Sequence, residues 1–148
     1  MKRYFILVVL FSVFVSACSQ DDTVDPNLTK DLVGTYKGET IVEKGYSHHT
    51  DWKITRVSNT AIKASTLFNF ISTSADYQSY TEESVLNNIS VVDDKTFKTS
   101  YKIPVPGDTL LIEAVGVLSG QILTVTSNGK NIRKGDSITP IVDKFTKE

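Results

Sequence analysis

The chain has 148 residues, with 16 Lys and Arg against 17 Asp and Glu, two histidines and one cysteine. A net charge of −1 without a Lys/Arg cluster argues against a nucleic-acid partner, whose phosphates call for a basic face. One cysteine rules out a disulfide within the chain, and the length fits a single domain around a single core.

Lys2 and Arg3 open the chain, and an apolar run follows over residues 4–15, broken only by Ser12. As a helix this run spans ~18 Å, too short for a hydrocarbon core of ~30 Å. It also lacks the polar face of a surface helix. Residues 1–17 therefore read as a secretory signal segment, set apart from the fold. At its end, Val15-Ser16-Ala17-Cys18 resembles the lipobox of bacterial lipoproteins, with Val15 where Leu is usual. The resemblance implies a thioether-linked diacylglycerol on the Cys18 thiol, carrying acyl chains such as palmitate. Two or three chains at ~0.8 kcal/mol per buried methylene would make detachment from the membrane negligible.

Ser19-Gln20-Asp21-Asp22 resembles the acidic export signal behind the lipidated cysteine in surface-displayed lipoproteins of Bacteroidetes-type bacteria. That implies an outer-membrane location, with the cell surface and the periplasmic face both open. The plainer alternative is that two acids solvate a linker. Residues 18–31 are polar, contain Pro26 and show no apolar period, as expected of a flexible acidic tether.

Over residues 32–148 the apolar period is two. "VGTYKGETIV" (33–42) puts Tyr36, Gly38, Thr40 and Val42 on one face. "HTDWKITRV" (49–57) alternates Trp52 and Ile54 with Asp51, Lys53 and Thr55. "AIKASTLFNF" (61–70) groups Ile62, Ala64, Thr66, Phe68 and Phe70, and "TFKTSYKIPV" (96–105) groups Phe97, Tyr101, Ile103 and Val105. Such alternation marks half-buried antiparallel strands. Ser58-Asn59, Asp93-Asp94, Pro106-Gly107-Asp108, Ser119-Gly120 and Asn128-Gly129 read as the turns between them. The tail, with Ile138, Ile141, Val142 and Phe145, reads as a last strand or packed segment that Pro140 confines to an edge. The fold class expected is all-β, an antiparallel up-and-down barrel of about eight strands, with a β-sandwich as the alternative. Closure removes exposed strand edges and favours the barrel for a secreted monomer.

"LVGTYKGETIV", "WKITRVSNTAIKAS", "LFNFIS", "VLNNISVV" and "GVLSGQILTVTSN" are similar to the calycin-like, lipocalin-type small barrels attached to Bacteroidetes-type lipoproteins. The likeness covers about residues 32–128 and is most recognisable at Gly34-Thr35-Tyr36-Lys37-Gly38. The "STSADYQSYTEES" insert and the C-terminus depart from it. The resemblance implies a lipocalin-type barrel and no catalytic residues.

Little else points to chemistry. His48 and His49 are adjacent, so in a strand they point to opposite faces and share no metal ion; no metal site and no cofactor are expected. The serines lack a nucleophile elbow, and Glu82-Glu83 and Asp93-Asp94 are sequence neighbours rather than acids facing across a cleft. The expectation is a protein that is not an enzyme. Binding is the better class, because a barrel of this size either fills with side chains or holds one small ligand. Tyr36, Trp52, Phe68, Phe70, Phe97 and Tyr101 are the lumen candidates, with Gly38, Ala64 and Gly116 leaving room. Tyr77 and Tyr80 are the rim candidates for contact with a glycan or protein, since tyrosine offers area and a hydrogen bond together. Asp22-Thr23-Val24, Asp108-Thr109-Leu110 and Asp136-Ser137-Ile138 match the O-glycosylation pattern of the same bacterial group.

Two expectations follow. A ligand-binding barrel for a small apolar or amphipathic molecule requires an internal cavity of ~300 Å³ or more, open at one end. An accessory lipoprotein with a filled barrel requires no cavity and an exposed patch near Tyr77 and Tyr80.

Overall fold

The computed structural model describes residues 27–75 and 77–148; the signal segment, Cys18 and the acidic stretch Ser19, Gln20, Asp21 and Asp22 lie outside them. Nine strands follow in chain order: β1 (Gly34–Gly38), β2 (Ile41–Glu43), β3 (Tyr46–Arg56), β4 (Ala61–Ser72), β5 (Tyr80–Asp93), β6 (Thr96–Val105), β7 (Asp108–Ser119), β8 (Ile122–Asn131) and β9 (Ser137–Lys147). The described residues contain no helix. Every pairing is antiparallel, and β1 bonds to β3 on one side and to β9 on the other. That closes eight strands into a barrel, with β2 as an extra strand on β3. The sandwich alternative falls, because the strands make one ring rather than two stacked sheets.

The period-two pattern explains the ring. On β3 and β4 the residues Trp52, Ile54, Ile62 and Ala64 point inward and are buried, as are Phe97 on β6, Leu123 and Val125 on β8 and Phe145 on β9. Each large side chain removed from water this way contributes about 1.5–3 kcal/mol. On β5, Leu86 and Ile89 are three apart, yet Leu86 packs on the core and Ile89 lies within it. A bulge reconciles them: the register jumps from Ile62↔Ile89 to Ala64↔Leu86, and Asn88 takes a left-handed φ of 55° that asparagine tolerates.

The core gathers at one end and forms a floor. Tyr36, Leu32 and Phe97 are fully buried there, and the Trp52 ring lies 6.3 Å from Phe97 and 5.3 Å from Phe145. Gly116 is fixed by this packing, since a Cβ would overlap the Phe97 ring. At Gly38 a Cβ would strike the Thr50 carbonyl oxygen. The stretch before β1 caps the floor: Leu28 N–H donates to Asn59 O (3.1 Å), Thr29 is buried, and Tyr36 Oη donates to Leu32 O (2.7 Å). Packing therefore begins upstream of Leu32, inside the stretch expected to be tether.

Two details depart from the sequence pattern. Asn128-Gly129 is no turn; it lies within β8, where Gly129 is buried between Ile112 and Ile138. The chain reverses at residues 132–136, held by Asn131 N–H to Asp136 O and Gly135 N–H to Asn131 O, both 2.8 Å. Residues 33–42 are two strands rather than one, broken at Glu39 and Thr40.

That break matters for the site. β1 pairs with β9 only at Tyr36↔Lys147, Lys37↔Thr146 and Gly38↔Phe145, and β2 pairs only with β3. On the opposite wall β5 pairs with β6 only at Ser90↔Lys98, Val91↔Phe97 and Asp93↔Thr96. The pairs β4–β5 and β6–β7, by contrast, run nearly the full strand length. Above the floor the barrel thus parts into two leaves, β2 to β5 and β6 to β9, separated by two short-laddered seams.

Candidate functional site

Between the leaves lies a cavity of ≈ 890 Å³. Trp52 and Phe145 border its base, Leu86, Ala114 and Val125 give it apolar walls, and Thr50, Thr66, Ser84, Ser127 and Tyr101 supply hydroxyls. Both seams open onto it, through Val85 and Ile103 on one side and Ile41 and Val142 on the other. These four apolar side chains are exposed.

The inward acids are distinctive. Asp143 shares the inward face of β9 with buried Phe145 and pairs across to buried Val125. Glu82 lies on the inward register of β5, paired to Phe68. Partial desolvation raises the Asp143 carboxyl above the ordinary carboxylate range although the residue as a whole is exposed, and no neighbouring cation offsets it. Tyr101 is also raised, first by burial and then by the Asp143 charge. The lysines bordering the cavity, Lys102 and Lys144, sit on the outward registers of β6 and β9 and are exposed.

One leaf extends past the floor as an aromatic wall. Tyr46 stacks on Phe70 with centroids 5.1 Å apart, and Phe70 stacks on Tyr80 at 5.2 Å. Phe68 meets His48 at 5.7 Å and Tyr80 at 5.9 Å, while Tyr77 lies edge-on to Phe70 at 6.4 Å. Tyr77 and Tyr80 are 57% and 51% exposed, so both present ring surface to solvent.

The six lumen candidates thus separate into three groups. Trp52 and Tyr101 border the cavity. Tyr36 and Phe97 do not: they are fully buried in the floor, and the space expected beside Gly116 is taken by Phe97. Phe68 and Phe70 belong to the aromatic wall, stacked with the rim tyrosines. Asp143, Glu82, Leu86 and Val125 were not anticipated. The signal for Asp143 was present in "IVDKF", where Ile141, Asp143 and Phe145 share one face and an acid interrupts the apolar register.

His48 and His49 point apart, as adjacent strand residues do. His48 packs among the inner rings, whereas His49 Nε2 lies 3.3 Å from Asn69 Nδ2 and 3.8 Å from Asp51 Oδ2. Among the described residues no three of His, Cys, Asp and Glu converge as a metal site.

Fold and cavity together define an eight-stranded antiparallel barrel with one extra strand and an open interior. No protein-family model matches the chain, and no curated protein matches it. Among solved structures, EF1p2_mFAP2b bound to DFHBI is similar with a TM-score of 0.50 at 12% identity, covering 82% of this chain and 98% of that one. A redesigned beta barrel, mFAP1, bound to DFHBI, gives 0.48 at 14% identity, covering 82% and 99%. At these identities the likeness is one of fold.

Proposed function

We propose that this protein is a non-enzymatic, envelope-anchored lipoprotein whose barrel binds one small amphipathic molecule between its leaves. The observation that carries the binding reading is the cavity of ≈ 890 Å³, well above the ~300 Å³ that a bound small molecule needs. Its mixed lining suits an amphipathic guest: Trp52, Leu86, Val125 and Phe145 for an apolar body, Tyr101, Ser127 and Thr66 for a polar end. That a barrel of like fold holds the small molecule DFHBI supports the same use of the interior. The anchor rests on the lipobox-like Val15-Ser16-Ala17-Cys18, and the acidic run behind it supports an outer-membrane, cell-surface position. The monomer reading rests on ring closure, which leaves the three-residue β2 as the one free-standing edge strand among the described residues.

A thermal-shift screen of amphipathic compounds with the mature protein tests the binding. A true ligand at a hundredfold excess over its Kd adds about 2.7 kcal/mol of stability and changes Trp52 fluorescence. A screen in which no compound does either, across neutral, anionic and cationic classes, refutes it. Mass spectrometry of the processed protein tests the anchor: an unmodified thiol at Cys18 ends that part.

A second reading has its own support in the exposed rings of Tyr77 and Tyr80. In it the aromatic wall presents a face to a protein or glycan partner, with the cavity incidental. Replacing both tyrosines by serine would then abolish partner capture while leaving small-molecule binding intact.

A further inference from the structure

We propose that the cavity selects an organic cation: an amphiphile whose ammonium head lies between Asp143 and Tyr101, and whose apolar body lies against Trp52, Leu86, Val125 and Phe145. The inference rests on the ligand-binding reading above and adds the charge of the ligand to it.

The carrying observation is that the lining carboxylates Asp143 and Glu82 stand on inward registers while its lysines stand on outward ones, in a space that apolar groups, hydroxyls and the His48 ring also line. Asp143 stands on the register of Phe145, directly across from Val125, and no ion pair or hydrogen bond to its carboxylate is found among the described residues. Glu82 approaches from the opposite leaf, and Glu39 at the β1–β2 break adds a third acid to the lining. The bordering cations, Lys102 and Lys144, alternate outward, so the strand pleat itself keeps ammonium groups off the inner face. Asp143, Glu82 and Glu39 are exposed in the open barrel, as Lys102 and Lys144 are, so strand register rather than burial sets the sign of the inner face. A guest seated there withdraws Asp143 from water, and a cationic head supplies the partner it then needs.

Tyr101 gives the head a second contact. Tyr101 and Asp143 both line the cavity from the β6–β9 leaf, and the phenol feels the Asp143 charge. An aromatic face beside a carboxylate is a favourable setting for an alkylammonium, combining a cation–π contact with an ion pair. A neutral amphiphile gains neither, and an anion meets repulsion from Asp143 and Glu82. The exposed apolar side chains along the seams, Val85 and Ile103 among them, offer a greasy path for the guest's tail.

The test measures the affinity of three amphiphiles of equal chain length below their micelle concentrations: decyltrimethylammonium, decanol and decanoate. With the mature protein near pH 7.5, the cation is expected to bind about tenfold more tightly than decanol, the ratio one partly desolvated ion pair and one cation–π contact supply. Asp143→Asn should remove that preference, bringing the cation's affinity down to about that of decanol measured on the same variant. It should not unfold the protein, because Asp143 is exposed and its carboxylate has no ion pair or hydrogen bond to lose among the described residues. Glu82→Gln is the second variant and should lower the preference by a smaller factor. Decanol binding as tightly as the cation would overturn the charge assignment and leave the binding reading standing. A cation preference that survives in the Asp143→Asn, Glu82→Gln double variant would overturn it too. Failure of all three probes to bind would remove both readings together.

Discussion

Single residues set the floor on which the cavity stands. Gly116 has no tolerance for a side chain, because the Phe97 ring occupies the place of its Cβ. Gly116→Ala should therefore cost about 1–3 kcal/mol by overpacking, read as a lower urea midpoint at unchanged slope. Adding Phe97→Leu should recover part of that loss, since the two positions share one volume and their effects are not additive. Tyr36 makes a separate test through its ionisation. Burial first, and the Asp31 carboxylate second, push its phenol up to about 12 from an ordinary 10. The unfolded chain releases that proton first, so the stabilisation is complete below pH 10 and is lost as pH rises from 10 towards 12. Stability measured across that range should fall in the wild type. Tyr36→Phe should flatten the Tyr36 part of the slope, while losing about 1 kcal/mol at neutral pH with the hydrogen bond to Leu32 O.

At the level of elements, strand identity and barrel closure were legible in the sequence, and the places where the ladders stop short were not. β6 begins and ends where its alternation does, at Thr96 and Val105, because Pro106-Gly107 stops the ladder with turn chemistry. β8 misled, since Asn-Gly reads as a hairpin turn by local preference. Here Gly129 is needed for space between Ile112 and Ile138, a tertiary demand that no local signal carries. The cavity was hidden for a related reason. Parity tells which side chains face inward, but not where two ladders stop short, and the leaves part because pairing ends at Ser90↔Lys98 and Gly38↔Phe145. Hydrogen exchange should expose those seams. In residues 82–86 of β5 and 99–103 of β6, amides aimed at the seam should exchange about a hundredfold or more faster than those aimed at β4 and β7. Uniform protection on both sides of each strand would mean that the seam is zipped in solution and the cavity has no lateral opening.

The whole molecule is asymmetric along its axis, a sealed end and a parted one, and each depends on the other. The leaves can separate only because the floor holds their bases in one ring, through Tyr36, Trp52, Phe97, Leu123 and Phe145. The floor in turn needs the stretch ahead of β1, where Leu32 and Thr29 are fully buried and Leu28 bonds to the β3–β4 turn at Asn59. Truncation separates these roles. A chain begun at Asn27 should keep the stability of the mature form, whereas one begun at Gly34 loses the Leu32 side chain and with it about 2–5 kcal/mol, comparable to a large-to-small change in a core. Denaturant unfolding of the two truncations reads that difference directly. The Gly34 form should also bind amphiphiles more weakly, because loosening the floor shifts Trp52 and Phe145 at the base of the cavity. Equal stability in both forms would show that the cap is ornamental and that the ring of strands alone supports the site.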